Sequence, residues 1–144
     1  MSATTEALSA ATDAENAAIF TYGVTTAFVS ASRRGTVADY VAAHRAARDA
    51  VNTAVTAAGG TPPDLAAGYT LPVQVTDPTS AVRAALAAEN DCATAYRSAL
   101  ERVDSESARR LAVEQLTECA LRAATWRAAL RESPVTVAFP GQPA

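Results

Sequence analysis

Two quartets of residues spaced seven apart constrain the fold of this 144-residue chain more than any other feature. The quartets are Leu8, Glu15, Tyr22 and Val29, and Val82, Glu89, Tyr96 and Val103, each member of the second lying 74 positions after its counterpart. Seven residues are about two turns of an α-helix, so each quartet marks one helix face. That face is apolar or aromatic except at the glutamate. Because a buried carboxylate is costly unless it is paired or bound to a metal, Glu15 and Glu89 are the primary candidates for a site.

The composition favours one all-α domain and excludes several functions. Alanine supplies 37 of the 144 residues, while β-branched and aromatic residues are scattered, a pattern typical of closely packed helices. The twelve basic residues are all arginine and the net charge is −3, so the chain lacks the basic excess of a nucleic-acid-binding domain. The hydrophobic run 17–29 is interrupted by threonine, tyrosine and glycine, and no basic segment precedes it. We therefore expect a cytoplasmic protein without a signal peptide or membrane span.

Four helices are predicted from capping signals and from glycine and proline residues. They cover about 4–34, 37–58, 78–103 and 105–132. Gly35 suits the left-handed conformation that ends helices, and Asp77-Pro78 supplies an N-cap with proline in the first turn. The turn at Asp104 carries the weakest signal because it contains neither glycine nor proline. One unbroken helix of more than fifty residues is the alternative there.

Two segments are predicted to lie outside the helices. Residues 60–77 contain three prolines and are expected to form a long crossover. Residues 133–144 begin with Ser-Pro and are expected to form an extended tail anchored by Phe139. A short connection, a long crossover and a second short connection are typical of a ferritin-like four-helix bundle, in which the second and third helices are parallel. We therefore predict a single all-α domain of this type over 1–144.

The centre of such a bundle is where ferritin-like di-iron proteins hold their metal. There the first and third helices each supply one glutamate, and the second and fourth each supply a Glu-x-x-His pair. Glu15 and Glu89 match the first two roles. The 74-residue offset pairs His44 with Glu118 on the other two helices, but neither lies in a Glu-x-x-His pair. Together these four residues offer ligands for a single iron, manganese or zinc ion at most.

Two arginines favour a metal-free centre. Arg48 and Arg122 lie four residues after His44 and Glu118, thus on the same helix faces, and a guanidinium can hold a carboxylate with two hydrogen bonds. We therefore predict a buried, charge-balanced cluster with no catalytic residue and no cofactor. Its predicted members are Glu15, His44, Arg48, Glu89, Glu118 and Arg122, with Tyr22 and Tyr96 as supporting core residues. The alternatives are a metal ion on Glu15, His44, Glu89 and Glu118, and exposure of the heptad face to solvent.

The two cysteines form neither a disulfide framework nor a zinc motif. Cys92 and Cys119 are predicted to be small buried thiols on adjacent helices, where they are able to meet.

Several segments together resemble a known family. They are Ala14–Gly23 in the first helix, His44–Asp49 in the second, Thr61–Pro63 and Tyr69–Pro72 in the crossover, and Ala138–Gly141 in the tail. On these residues the chain resembles the alanine-rich, ferritin-like family of unknown function found in actinobacteria. The resemblance implies a ferritin-like bundle and a cytoplasmic homodimer, without an established activity. Members carry histidine after the first-helix glutamate, where this chain has Asn16, and that departure weakens a metal role.

Two functions follow as hypotheses. The first is a non-catalytic, homodimeric bundle whose Glu/Arg/His centre fixes the register of the helices. The second is a metal-binding oxidase or storage-related protein that uses iron or manganese. A small apolar ligand held between the helices is a third, less supported possibility.

Overall fold

The computed structural model describes residues 2–143; Met1 and Ala144, the two ends of the predicted domain, lie outside the described residues. Four α-helices make up most of the described chain, which contains no β-strand. They are α1 (Ala3–Thr25), α2 (Arg34–Ala57), α3 (Pro78–Arg102) and α4 (Glu106–Ala129). This all-α, four-helix architecture confirms the predicted fold class.

The first helix ends nine residues earlier than predicted, and Gly35 does not end it. After Thr25 the chain turns and passes through a short 3-10 segment, Ala31–Arg33, before α2 begins. The Tyr22 carbonyl oxygen still accepts the Thr26 amide, but the amides of Ala27 and Phe28 donate to carbonyl oxygens only three residues earlier, which tightens the last turn. Gly35 has an ordinary negative φ and lies inside α2. The turn after Thr25 returns Val29 to the core, where it is buried in one cluster with Tyr22 and Val37.

The crossover is bounded by well-formed caps. At the end of α2, Gly59 has φ +87°, and the amides of Gly59 and Gly60 donate to the carbonyl oxygens of Thr56 and Val55, which is a Schellman motif. At the start of α3, the Asp77 carboxylate accepts a hydrogen bond from the Ser80 amide, and the Ser80 hydroxyl accepts one from the Asp77 amide. This capping box fixes where α3 begins.

The turn between α3 and α4 divides what sequence alone allowed to be one long helix. The amide of Val103 still donates to the Ala99 carbonyl oxygen, but its backbone is extended. Ser105 then caps α4 by accepting a hydrogen bond from the Ala108 amide at 3.1 Å. The single-helix alternative is therefore wrong.

Side-chain contacts establish the directions of the helices. Tyr22 on α1 contacts Glu89 on α3, and Tyr96 contacts Glu15, so α1 and α3 are antiparallel. Thr12 of α1 donates to Asn52 of α2 at 2.8 Å, and Glu15, further along α1, contacts His44, which lies earlier on α2, so these two helices are antiparallel as well. Hence α2 and α3 are parallel, as in ferritin-like bundles. The contacts of α1 with α2 and α3, and of α3 with α4, are extensive, whereas α2 and α4 touch only slightly.

The tail after α4 lies across the outer surface of α3 and α4. Phe139, its predicted anchor, is 64% exposed and does not anchor it. Gly141 does so instead: its φ is +77°, and a Cβ there would overlap the carbonyl oxygen of Ala93. Close contact of tail backbone with helix backbone therefore holds this segment, which a sequence search for large apolar anchors does not detect.

None of the helices within residues 2–143 combines the length and the apolar character needed to cross a membrane.

Candidate functional site

The centre of the bundle holds three ionisable side chains that are completely excluded from solvent. Glu15 of α1, His44 of α2 and Glu89 of α3 are each 0% exposed. Nδ1 of His44 lies 2.5 Å from Oε2 of Glu15, and Nε2 lies 2.7 Å from Oε2 of Glu89. One imidazole thus bridges two carboxylates on different helices.

Two tyrosines cross between α1 and α3 in a nearly symmetric manner. The hydroxyl of Tyr96 donates to Oε1 of Glu15 at 2.6 Å, and the hydroxyl of Tyr22 donates to Oε2 of Glu89. Each tyrosine therefore contacts the glutamate of the opposite repeat. The two quartets spaced by 74 residues therefore place the glutamate of each helix beside the tyrosine of the other.

The fourth helix contributes Arg122, whose side chain is almost completely buried. Its Nε donates to Oε1 of Glu89 at 2.9 Å, and Nη2 lies 3.5 Å from Sγ of Cys119. The guanidinium also lies 5.9 Å from the ring centroid of Tyr40, within the range of a cation–π contact. Glu89 consequently has three donors, Tyr22, His44 and Arg122, whereas Glu15 has two.

These contacts determine the protonation states. Burial alone lowers the pKa of His44, but its hydrogen bonds and Coulomb attraction to Glu15 and Glu89 outweigh burial and raise it to about 10. Burial opposes ionisation of Glu89, yet hydrogen bonding and attraction to His44, with attraction to Arg122, lower its pKa overall. Burial likewise lowers the pKa of Arg122, but attraction to Glu89 exceeds that effect and raises it. At neutral pH His44 and Arg122 are therefore cations and Glu89 is a carboxylate.

The tyrosines remain neutral hydrogen-bond donors. Burial, followed by the negative charge of the adjacent glutamate, raises the pKa of both Tyr22 and Tyr96 above the usual value for a phenol. Trp126 extends the network, since its Nε1 donates to the Tyr22 hydroxyl at 2.8 Å. A hydrogen-bonded chain thus runs from α4 through Tyr22, Glu89, His44 and Glu15 to Tyr96.

Two of the predicted cluster members lie outside this network. Glu118 is solvent-exposed, and the side chain of Arg48 is 27% exposed and pairs with the adjacent Asp49 at 3.1 Å. Both placements correct the predicted set, which now comprises Glu15, His44, Glu89 and Arg122 with Tyr22 and Tyr96.

The cause is a one-residue change in the offset between α2 and α4. Buried positions on α1 and α3 correspond at 74 residues, but those on α2 and α4 correspond at 75. The corresponding pairs are Val37 and Ala112, His44 and Cys119, Ala47 and Arg122, and Val51 and Trp126. One residue rotates a helix face by about 100°, which turns Glu118 outward and Arg122 inward. An offset of 75 residues, which aligns His44 with Cys119 instead of Glu118, matches the buried faces of α2 and α4.

The two cysteines border the Glu15 side of the centre. Both thiols are free and fully buried, and Sγ of Cys92 lies 3.4 Å from the carbonyl oxygen of Ala14. A hydrogen bond with Cys119, together with burial, raises the pKa of the Cys92 thiol. This keeps the thiol protonated at neutral pH, the form that is a weak nucleophile and metal ligand.

The donor set does not fit a di-iron pair. Such a pair uses four carboxylates and two histidines in ferritin-like proteins, whereas the centre formed by residues 2–143 offers two carboxylates and one histidine. The residue that α4 contributes to the centre is Arg122, whose guanidinium is permanently charged and binds no metal. Glu15, His44 and Cys92 do place ligand atoms within 4.8 Å of one another, so a single ion is the largest metal content that these side chains suit.

Crystal structures of other proteins are similar to this chain in fold. A crystal structure of a conserved hypothetical protein from Mycobacterium tuberculosis is 38% identical, with a TM-score of 0.85 over 88% of this chain and 96% of that chain. A crystal structure of ferritin-like, diiron-carboxylate proteins from Bacillus anthracis is 17% identical, with a TM-score of 0.73 over 88% of this chain and 94% of that chain. At that identity the second likeness shows the fold alone. No curated protein has significant sequence similarity to the chain.

These similarities establish that the bundle is ferritin-like, as predicted. A family model, described as a domain of unknown function (DUF4439), matches residues 7–144 of the chain. Because this alignment spans nearly the whole chain, the protein belongs to the DUF4439 family.

Proposed function

We propose that this protein is a non-catalytic ferritin-like bundle in which a neutral ion-pair network replaces the metal pair of di-iron relatives. One observation carries the proposal: His44 uses both ring nitrogens to bridge Glu15 and Glu89, while Arg122 holds the free oxygen of Glu89. Two cations balance two carboxylates, so the buried charges are compensated without an added ion.

The network acts as a register device for the helices. Its members come from all four helices, and each hydrogen bond spans two of them. Sliding one helix by a turn, about 5.4 Å, separates every donor on it from its acceptor and leaves buried charges without partners. Alanine and valine make up most of the buried apolar side chains, so few large side chains interlock to oppose such a slip. A buried polar network therefore adds specificity to this core.

Metal content of the purified protein tests the proposal. The protein is produced in medium supplemented with iron, manganese and zinc, purified without chelator, and analysed by elemental mass spectrometry beside Glu89→Gln. We expect both to contain far less than one metal ion per chain. One or more ions per chain in the wild type, lost in Glu89→Gln, would contradict the proposal.

We further propose that two copies associate through the outer face of α4. Val113 and Leu121 lie two turns apart on that face and are 47% and 59% exposed, so they leave apolar surface that a second copy could cover. A reducing compartment such as the cytoplasm suits the two free thiols. Sedimentation velocity tests the association: wild type is expected to be dimeric and Leu121→Asp monomeric. A monomeric wild type, or a dimer unaffected by Leu121→Asp, would contradict it.

A single bound metal ion is the second candidate function. It is favoured by the proximity of the Glu15 carboxylate, the His44 imidazole and the Cys92 thiol, whose donor atoms lie within 4.8 Å of one another. Binding there requires His44 to lose its Nδ1 proton, and iron, manganese or zinc would then replace that proton. Titration of the metal-free protein with Zn²⁺ or Mn²⁺ distinguishes this candidate. Stoichiometric binding that is abolished by both His44→Gln and Cys92→Ser supports it, and absence of binding excludes it.

A further inference from the structure

The C-terminal tail forms the roof of a cleft on the outer surface of α3 and α4, away from the buried centre. Two hydrogen bonds hold the tail down, from Arg127 Nη1 to the Val135 carbonyl oxygen at 3.2 Å and from Arg97 Nη1 to the Pro140 carbonyl oxygen at 3.4 Å. Gly141 adds direct backbone contact with Ala93. The cleft beneath the tail has a volume of about 540 Å³, within the range of small-molecule sites.

Opposite charges line this cleft without neutralising each other. Arg127 donates to two neutral acceptors, the Val135 carbonyl oxygen and Oδ1 of Asn90 at 3.1 Å. Asp91, one residue further along α3, also lines the cleft. Neither Arg127 nor Asp91 forms an ion pair with any group in residues 2–143. Desolvation raises the pKa of Asp91, and a cation placed beside it would favour its charged form.

The roof supplies apolar surface. Val137 and Phe139 line the cleft and are 48% and 64% exposed. An aromatic ring held by backbone attachments on both sides, yet left mostly in water, contributes little to the stability of the tail. It offers a surface on which an apolar group can pack.

We propose that this cleft binds a small zwitterion with an apolar side chain, of the chemistry shared by free α-amino acids and short peptides. The ligand carboxylate pairs with the remaining guanidinium donors of Arg127, the ammonium pairs with Asp91, and the side chain packs against Phe139 and Val137. A ligand with only one charge leaves the other cleft charge unpaired. This site goes beyond the proposed structural role of the bundle and does not depend on the metal content of its centre.

Calorimetric and NMR titrations of the full chain test the site, with L-phenylalanine and L-leucyl-L-phenylalanine as probes. Saturable binding of at least one probe is expected, with chemical-shift changes centred on Asp91, Arg127 and the tail. Tighter binding of the amino acid or of the dipeptide identifies which source of the zwitterion fits better. Blocking the ammonium by N-acetylation, or the carboxylate by amidation, is expected to weaken binding about tenfold or more.

The variant Asp91→Asn assigns the ammonium contact. Asparagine has nearly the same size and shape as aspartate, and Asp91 forms no ion pair within residues 2–143 that the variant would remove, so folding is expected to be unchanged. Binding should weaken, and the variant should no longer distinguish L-phenylalanine from its N-acetyl derivative. Asp13→Asn, at an exposed carboxylate on α1 that does not line the cleft, is the matched control and should bind normally. Absence of saturable binding for both probes, or equal binding by wild type and Asp91→Asn, overturns the proposal.

Discussion

Arg122 donates from Nε to Oε1 of Glu89 over 2.9 Å, at a position where both side chains are almost fully removed from water. The two repeats differ at this position. On α2 the corresponding inward residue is Ala47, so Glu15 relies on His44 and Tyr96, whereas Glu89 also has a guanidinium. The arginine supplies a second buried cation beside His44.

Removing this guanidinium should destabilise the protein strongly. Arg122→Met keeps an unbranched side chain of similar length but strands the Glu89 charge, so we expect a loss of about 3–5 kcal/mol in the free energy of unfolding. Urea denaturation followed by circular dichroism measures it. Arg48→Met is the control, since the one ion pair that Arg48 forms within residues 2–143 is with the exposed Asp49, and its loss should change stability by about 0.5 kcal/mol or less. Equal effects of the two variants would show that Arg122 has no special role.

The two tyrosine hydroxyls should contribute unequally. Tyr22→Phe removes two hydrogen bonds, one of the three to Glu89 and the one that the Trp126 indole donates, whereas Tyr96→Phe removes only the hydrogen bond to Glu15. We expect Tyr22→Phe to cost about 1–3 kcal/mol and more than Tyr96→Phe. Trp126 is the single tryptophan, so its emission should also shift in Tyr22→Phe but not in Tyr96→Phe. A larger stability loss for Tyr96→Phe contradicts this account of the network.

Stability should decrease as the pH rises above neutrality. The pKa of His44 is raised from 6.5 to about 10 in the folded protein, so the folded chain binds one more proton than the unfolded chain across that interval. The contribution of His44 is thus complete below pH 6.5 and is lost progressively up to pH 10. Denaturation between about pH 6.5 and 8.5, below the range of phenol titration, should show a decline approaching about 1.4 kcal/mol per pH unit, or about one proton. A flat or rising profile is inconsistent with a buried imidazolium.

Gly141→Ala should release the tail while leaving the bundle folded. The added Cβ would overlap the carbonyl oxygen of Ala93, and the positive φ disfavours any side chain. We expect residues near Gly141 to lose amide protection in hydrogen–deuterium exchange, with little change in the four helices. Gly68→Ala, at a position with open space and no positive φ, should leave exchange unchanged. An equally protected tail in Gly141→Ala would mean that other contacts hold it.

The inward faces of α1 and α3 could be predicted from sequence because each quartet's central residues lie within one uninterrupted helix. Glu15, Tyr22, Glu89 and Tyr96 are all buried, and the helical period alone places them on a common face. The faces of α2 and α4 could not be carried over from the same offset. The connections before them, 26–33 and 103–105, differ in length and shape, and a single residue of difference rotates a helix by about 100°.

Arg122 lies at the centre, but not for the reason that the repeat indicates. The 74-residue offset pairs it with Arg48 and predicts that both guanidiniums are buried, whereas Ala47 occupies the equivalent inward place on α2. The contacts of Trp126 and the tail depend on tertiary packing and backbone approach, for which the chain carries no local signal.

The protonation state of His44 tests the central claim most directly. It is the only histidine in the chain, so its ring nitrogens can be assigned without ambiguity in long-range ¹H–¹⁵N correlation spectra of the purified protein. We predict that at neutral pH both nitrogens carry protons, with no titration until the pH approaches 10, because each donates to a glutamate. A neutral tautomer at neutral pH, or a nitrogen resonance shifted by a bound metal ion, would contradict the neutral ion-pair centre.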